Sequence, residues 1–309
     1  YPLFRCKALY HRKDAICAAT VVGKPRQEDF YLGDYLQELL QPLIKVVMPT
    51  VKDIWSYGET GYHSLTAIRI SERYKREAMA SAFRVLGEGQ LSLTKFLLVV
   101  DGSTNLGNLK ETLEHILKRA DFRTDLYLFS NLSMDTLDYS GPKVNEGSKG
   151  VLLGVGDPIR ELPGFAPSSL PNRVNRAQLF CKGCLVVDGP SYEDDKSFAE
   201  HLAQSEILKD YPLVVLVDDA QKAAKSEMNF LWTTFTRFEP AADIYAKNSD
   251  IVRNHLSYNA PIIIDARMKT WYPKELFCDP KVKDLVTKRW NEYFPNGQEM
   301  GDSDLGHLD

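Results

Sequence analysis

The side chains best suited to chemistry lie in a few short segments. Gln27, Glu28 and Asp29 follow the turn-forming Gly23-Lys24-Pro25. Adjacent carboxylates beside an apolar run can be held in a pocket with a raised pKa, an arrangement suited to acid–base work. The same pair also suits the first turn of a helix, where the macrodipole favours negative charge. Lys149 stands in Gly147-Ser148-Lys149-Gly150. Glycines let a backbone approach an anion closely and the ammonium is a compact positive charge, although a solvated loop lysine fits the same residues. Cys181 and Cys184 form a lone Cys-x-x-Cys. Zinc would need a second ligand pair, and redox chemistry would want the motif at a helix start rather than entering a strand, so both read as structural. The six histidines are scattered, without His-x-His or a zincin motif, and no serine elbow is present. Gly154-Val155-Gly156-Asp157 lacks the third glycine of a dinucleotide turn and runs into Pro158.

The elements that must position these groups follow from apolar periodicity. Two strands are expected at residues 3–10 and 15–22, with a helix at 33–47 capped by Asp29 or Asp34 and closed by Pro49. Strands follow at 52–57, 64–70, 95–100 and 126–129, with helices at 73–86 and 108–119 between them. A second set repeats the pattern: strands at 183–187, 213–217 and 243–246, and helices at 193–208 and 227–237. Asp101 and Asp218 follow equivalent apolar strands 117 residues apart, and Arg119 and Asp125 recur as Arg237 and Asp243 at a distance of 118. Each set ends in an apolar tail, 150–155 and 261–265. That distance is too long for a solenoid and suits a duplicated α/β unit. The organisation expected is a barrel end with connecting helix (1–50), an α/β domain (51–155), a Pro-rich linker (156–178), a repeated unit (179–270), and a C-terminal helix with an acidic tail (271–309).

Apolar content of 44% and charged content of 26% are ordinary for a globular protein. A net charge of −4 without basic runs argues against nucleic acid as a partner, and no apolar run approaches the ~20 residues of a transmembrane helix. Five widely spaced cysteines suit reduced thiols and a cytoplasmic setting. The chain opens on Tyr1, not Met, almost directly ahead of the strand expected at 3–10, which suggests a piece of a longer protein.

Several segments, taken in order, resemble the UbiD decarboxylases: residues 18–34, Gly61-Tyr62-His63-Ser64-Leu65, residues 87–95, Met134-Asp135-Thr136-Leu137-Asp138, and Gly147-Ser148-Lys149. The resemblance implies an α/β fold of mixed and parallel sheets with flanking helices, here with a duplicated βαβαβ unit. It implies a parent enzyme that removes CO₂ from an aromatic or polycyclic hydroxy acid. The cofactor would be prenylated FMN with a divalent metal (Mn or Mg) and K, held by the full-length parent. Residue by residue, Lys149 would contact the cofactor phosphate, and Glu28, Asp29 and Leu32 would line the substrate pocket. The family's Glu-Arg-Glu catalytic set and its metal ligands match no segment here, so this chain alone is expected to be inactive. The longer branch, with a second unit, looks like the menaquinone-biosynthesis type, and a homo-oligomer is expected. Two other readings stand beside this one. One is a pure assembly module without a ligand; the other is a nucleotide-binding α/β protein, supported only by strand-end Asp101, Asp218 and Asp219.

Overall fold

The computed structural model describes residues 3–15, 28–274 and 279–298. Helix α1 (Glu28–Val47) leads into a first set of elements: β1 (Val51–Ser56), β2 (Leu65–Ile70), α2 (Glu77–Leu86), β3 (Phe96–Val100), α3 (Leu109–Arg119), a single turn α4 (Phe122–Asp125), β4 (Leu126–Ser133) and β5 (Glu146–Gly154). The second set runs β6 (Arg176–Cys181), β7 (Cys184–Asp188), α5 (Phe198–Ala203), β8 (Leu213–Val217), α6 (Ala220–Ala224), α7 (Glu227–Phe235), α8 (Pro240–Asp243), β9 (Ile244–Val252) and β10 (His255–Asp265). Helices α9 (Pro280–Lys288) and α10 (Trp290–Tyr293) follow.

Each set forms one five-stranded sheet, in the orders β1-β2-β3-β5-β4 and β6-β7-β8-β10-β9. In both, the first and last pairs are antiparallel and the two central pairs parallel. The duplication expected from the sequence is therefore a duplication of topology. The aspartates that marked it do matched work. Asp101 and Asp218 each accept the backbone N–H just beyond the last strand, from Gly156 at 2.7 Å and Met268 at 2.9 Å. Asp125 and Asp243 each close a one-turn helix by accepting the N–H four residues back, from Asp121 and Glu239. Asp219 caps α6 through the Lys222 N–H. All the carboxylates of the nucleotide-binding reading are thus engaged in holding backbone.

Alternation along the central strands sorts their side chains onto two faces. Leu65, Phe96 and Leu98 of the first sheet and Val186, Val215 and Val217 of the second point into one shared core with Leu113 and Ile116 of α3 and Phe230 and Phe235 of α7. The opposite faces pack separately, against α2 in the first sheet and α5 in the second. The parallel strands are covered on both sides and so are apolar throughout. Phe96 meets Phe235 and Phe238 across the shared core, with ring centroids 6.4 and 5.8 Å apart; burying each such ring is worth roughly 1.5–3 kcal/mol.

Several expectations are corrected. Residues 3–10 form no strand and their large side chains are exposed, because an alternating segment has no ladder without a neighbour. Of the expected strand at 15–22, all but Ala15 lies outside the described residues. Helix α1 starts at Glu28, so neither Asp29 nor Asp34 is its cap; Glu28 and Asp29 occupy its first turn. The helix expected at 193–208 shrinks to six residues, and the short strand expected at 243–246 extends to Val252. Residues 176–178 of the expected linker belong to β6. Cys181 and Cys184 face each other across a two-residue hairpin turn, both buried, with Gly183 at φ +80°. The C-terminal helix buries none of its side chains. No helix is long and apolar enough to cross a membrane among the described residues.

Candidate functional site

The first sheet carries a polar cluster built from segments far apart in sequence. At its outer side, α1 is clasped to edge strand β1 by glutamines one turn apart. Gln37 accepts the Ser56 N–H at 2.5 Å and donates to its carbonyl at 3.1 Å, and Gln41 donates to the Ile54 carbonyl at 2.6 Å. The N-terminal end of α1 rests on Tyr62. Gly33 admits that ring, since a Cβ there would lie 2.3 Å from Tyr62 Cζ. The Tyr62 hydroxyl reaches the Phe30 carbonyl at 2.9 Å and the Asp34 carboxylate at 3.1 Å. Burial and the neighbouring Asp34 charge push its pKa up, so it remains a donor.

The next residue, His63, bonds through Nδ1 to the Asp135 carboxylate. Asp135 belongs to the long loop between β4 and β5, as do Leu137, Asp138, Tyr139 and Ser140. Asp135 also accepts the Leu137 N–H at 3.0 Å, which folds the loop back on itself. Asp138 is buried against Lys95, with Nζ 2.7 Å from Oδ2. It also accepts the Ser140 N–H at 2.9 Å and hydroxyl at 2.5 Å. Lys95 in turn donates to Ser140 Oγ at 3.2 Å.

Lys149 lies beside this pair. It is not the solvated loop lysine that its glycine neighbours also suited: it is 4% exposed and donates to the Thr94 carbonyl at 2.8 Å. The reason is register: Lys149 lies within β5, where the main-chain bond from the Gly150 N–H to the Lys95 carbonyl ties β5 to the start of β3. Burial pushes its pKa down to about 8, and the Asp138 charge opposes that shift. Two ammonium groups thus share the field of one carboxylate, an uncommon buried surplus of positive charge.

These segments surround a cavity of about 270 Å³. The first sheet and α1 contribute Asp29, Gly58, Thr60, Gly61, Ser64 and the loop residues Asp135, Leu137, Asp138 and Tyr139. The second unit contributes Trp232 and Thr236. Of the residues expected at a pocket, Asp29 lines this cavity, with Oδ1 buried and without a hydrogen-bond partner among the described residues. Glu28 and Leu32 do not line it; Glu28 is exposed and Leu32 is 59% exposed on the outer face of α1. Asp138 lines the cavity and Lys149 does not. Sequence reasoning named the segment holding Asp135 and Asp138 without assigning either carboxylate a role, and it missed Trp232, which carries no motif. Among the described residues no three His, Cys, Asp or Glu side chains are grouped as a metal site.

Comparison with known proteins places residues 30–154 in the family model of the 3-octaprenyl-4-hydroxybenzoate carboxy-lyase C-terminal domain, UbiD_C. An uncharacterised protein of Chlamydia trachomatis is 49% identical over 296 residues, 96% of this chain and 50% of its own length. A Chlamydia pneumoniae protein, named as one subunit of a 4-hydroxybenzoate decarboxylase, is 49% identical over 298 residues, with the same two coverages. The chain thus spans about half the length of the curated relatives it matches. Among solved structures, the UbiD-class enzyme HmfF from Pelotomaculum thermopropionicum in complex with FMN aligns at 22% identity and a TM-score of 0.35, covering 44% of this chain and 30% of that one.

Proposed function

We propose that this chain, whose residues 30–154 match the model of the UbiD C-terminal domain, serves a non-oxidative carboxy-lyase acting on an aromatic or polycyclic hydroxy acid in quinone biosynthesis, of the menaquinone or ubiquinone type. Its part is to supply pocket wall, a positive charge for the cofactor phosphate, and an assembly surface in a homo-oligomer. The observation that carries this reading is the buried cluster in which Lys95 and Lys149 share Asp138. A buried surplus of positive charge is stabilised by an anion, and a phosphate is the anion a flavin nucleotide offers. Neither lysine lines the cavity: Lys95 is held by Asp138 and Lys149 by the Thr94 carbonyl, so they would act on such a group through their charge. Prenylated FMN, when bound, would supply the electron sink for loss of CO₂. This chain's residues would hold charge near the phosphate and shape the neighbouring cavity. The described residues give no comparable support to a metal or K site.

The test is flavin retention by the full-length protein. Lys149→Met keeps the stem and removes the charge, and the loss of one charge-assisted interaction should weaken flavin binding by roughly tenfold or more. Unchanged flavin content in a folded Lys149→Met protein would sink the assignment. Decarboxylation of 4-hydroxybenzoate or a dihydroxynaphthoate by the 309-residue chain alone, above a no-protein control, would defeat its role as a partial contributor.

A further inference from the structure

The two units differ at their outer edges. Main-chain pairing matches β2 with β7, since the Phe96 N–H meets the Ser64 carbonyl as the Leu213 N–H meets that of Gly183. Ile54 and Ser56 of β1 lie opposite Ile68 and Thr66; in the same register, Ala177 and Leu179 of β6 lie opposite Val187 and Leu185. The groups of Ile54 and Ser56 that point away from the sheet are taken up by Gln41 and Gln37 of α1. Along an antiparallel edge every second residue turns both main-chain groups outward, so Ala177 and Leu179 do the same on edge strand β6. No helix equivalent to α1 covers them among the described residues. A groove of about 540 Å³ adjoins this edge instead, lined by Gln178 and Leu179 and, from α6 and its caps, by Asp219, Gln221, Lys222 and Lys225. An edge of this kind is a template for a further strand.

The occupant that fits is the same strand of a second copy. An antiparallel partner must offer outward groups on alternate residues, and β6 itself offers them on Ala177 and Leu179. A two-fold axis through Gln178 sets Ala177 of each copy against Leu179 of the other, so that both pairs exchange main-chain hydrogen bonds. Such an interface uses one patch on both subunits and closes at the dimer. Charge agrees with it. Asp219 caps the start of α6, 3.7 Å from Arg176 at the start of β6, and Lys222 and Lys225 follow toward the other end of the helix. The axis reverses that direction in the second copy, and the acidic end of each α6 then faces the basic end of the other. Gln178 is exposed, and two side-chain amides meeting on the axis can donate to and accept from one another.

We propose that β6 is the docking strand of a homodimer, pairing antiparallel with β6 of a second copy to join the two second sheets into one. This deepens the assembly role proposed above and rests on the homo-oligomer named there. Sedimentation equilibrium of the 309-residue chain at physiological salt tests it, and a monomer–dimer equilibrium is the expected result. Ala177→Pro removes an outward N–H while leaving the β6–β7 ladder intact, and it should weaken the dimer by about tenfold or more. Gln178→Glu sets two carboxylates together on the axis and should weaken it in the same direction. Leu39→Lys, on the exposed apolar face of α1, should leave the dimer unchanged. Facing residues at such an axis have Cα atoms about 4.5 Å apart, within disulfide range. Mild oxidation of Gln178→Cys should therefore link the two copies through position 178, as read by peptide mapping. A chain that stays monomeric at every concentration would overturn the proposal. So would a dimer that survives both Ala177→Pro and Gln178→Glu in folded proteins, a dimer lost in Leu39→Lys, or the absence of the link through position 178. Such a failure leaves the carboxy-lyase reading standing, since that is judged by flavin content and turnover in the full-length protein.

Discussion

The two sheets share strand order, strand directions and their aspartate-closed turns, yet the cluster of Lys95, Lys149 and Asp138 beside the cavity belongs to the first alone, while the second buries different pairs, Arg267–Asp265 and Lys269–Asp243. The difference lies at two matched places. Just before the parallel pairing begins, the first unit has Ser64, Lys95 and Lys149, and the corresponding main-chain bonds put Gly183, Pro212 and Pro261 there in the second. Between the last two strands, the first unit has the loop holding Asp135 and Asp138, while the second turns through Arg253 and Asn254 alone, both at positive φ. A topology can thus be copied while the chemistry stays in one copy: the shared work is done by backbone-holding carboxylates, and the site depends on strand-end side chains and one loop.

The largest break in this comparison should come from Asp138→Ala. It strands two buried ammonium groups, and loss of one partner of a buried pair costs about 3–5 kcal/mol, measured as a fall in urea-unfolding free energy. Replacing Lys95 and Asp138 together by Met and Leu should cost clearly less. No counterpart of this sensitivity is expected at Pro212 or Pro261. Next comes the spacing of helix on sheet. A Cβ on Gly154 would lie 2.5 Å from Ile116 Cα, whereas the second sheet holds Ala266 at the matched position. Gly154→Ala should therefore destabilise by about 1–3 kcal/mol through forced backbone movement, and Ala266→Gly by about 1.

Lys149 gives a pH signature confined to the first unit. Its folded pKa of about 8 lies below its ordinary 10.5, so the folded state holds fewer protons across that window. Stability should rise with pH between about 8 and 10.5, by about 1–2 kcal/mol, and Lys149→Met should flatten that rise. Urea midpoints across this range, wild type against variant, decide it. The smallest effect is expected at the α1 clasp: Gln37→Ala leaves the Ser56 N–H and carbonyl on an edge strand without their side-chain partner, at about 1 kcal/mol by the same assay.

Much of the architecture was legible because apolar strands such as 95–100 and 213–217, and turn aspartates such as Asp101 and Asp218, repeat at a fixed distance. What was not legible depended on tertiary context. The segment 3–10 alternates like a strand, but alternation cannot supply a pairing partner. The polar run Lys247-Asn248-Ser249-Asp250 follows the expected strand, yet it is strand too because β10 pairs with Asn248 onward, beyond an irregularity at Lys247. At the site, Lys149 is deeper than its sequence context suggested. Its glycine neighbours suggested exposure, whereas strand register buried it. Trp232 was invisible, since nothing in sequence says that a helix beginning at Glu227, well past the end of the first unit at Gly154, folds back onto that unit's cavity.

The core shared between the sheets has a consequence for assembly. A face that two separate chains would have to find by collision is here satisfied by a tethered segment of the same chain, whose effective concentration does not fall on dilution. The packing of Phe96 against Phe235 and Phe238 is therefore exempt from mass action. The contact between the two sheets should therefore survive dilution, whatever becomes of contacts between separate chains.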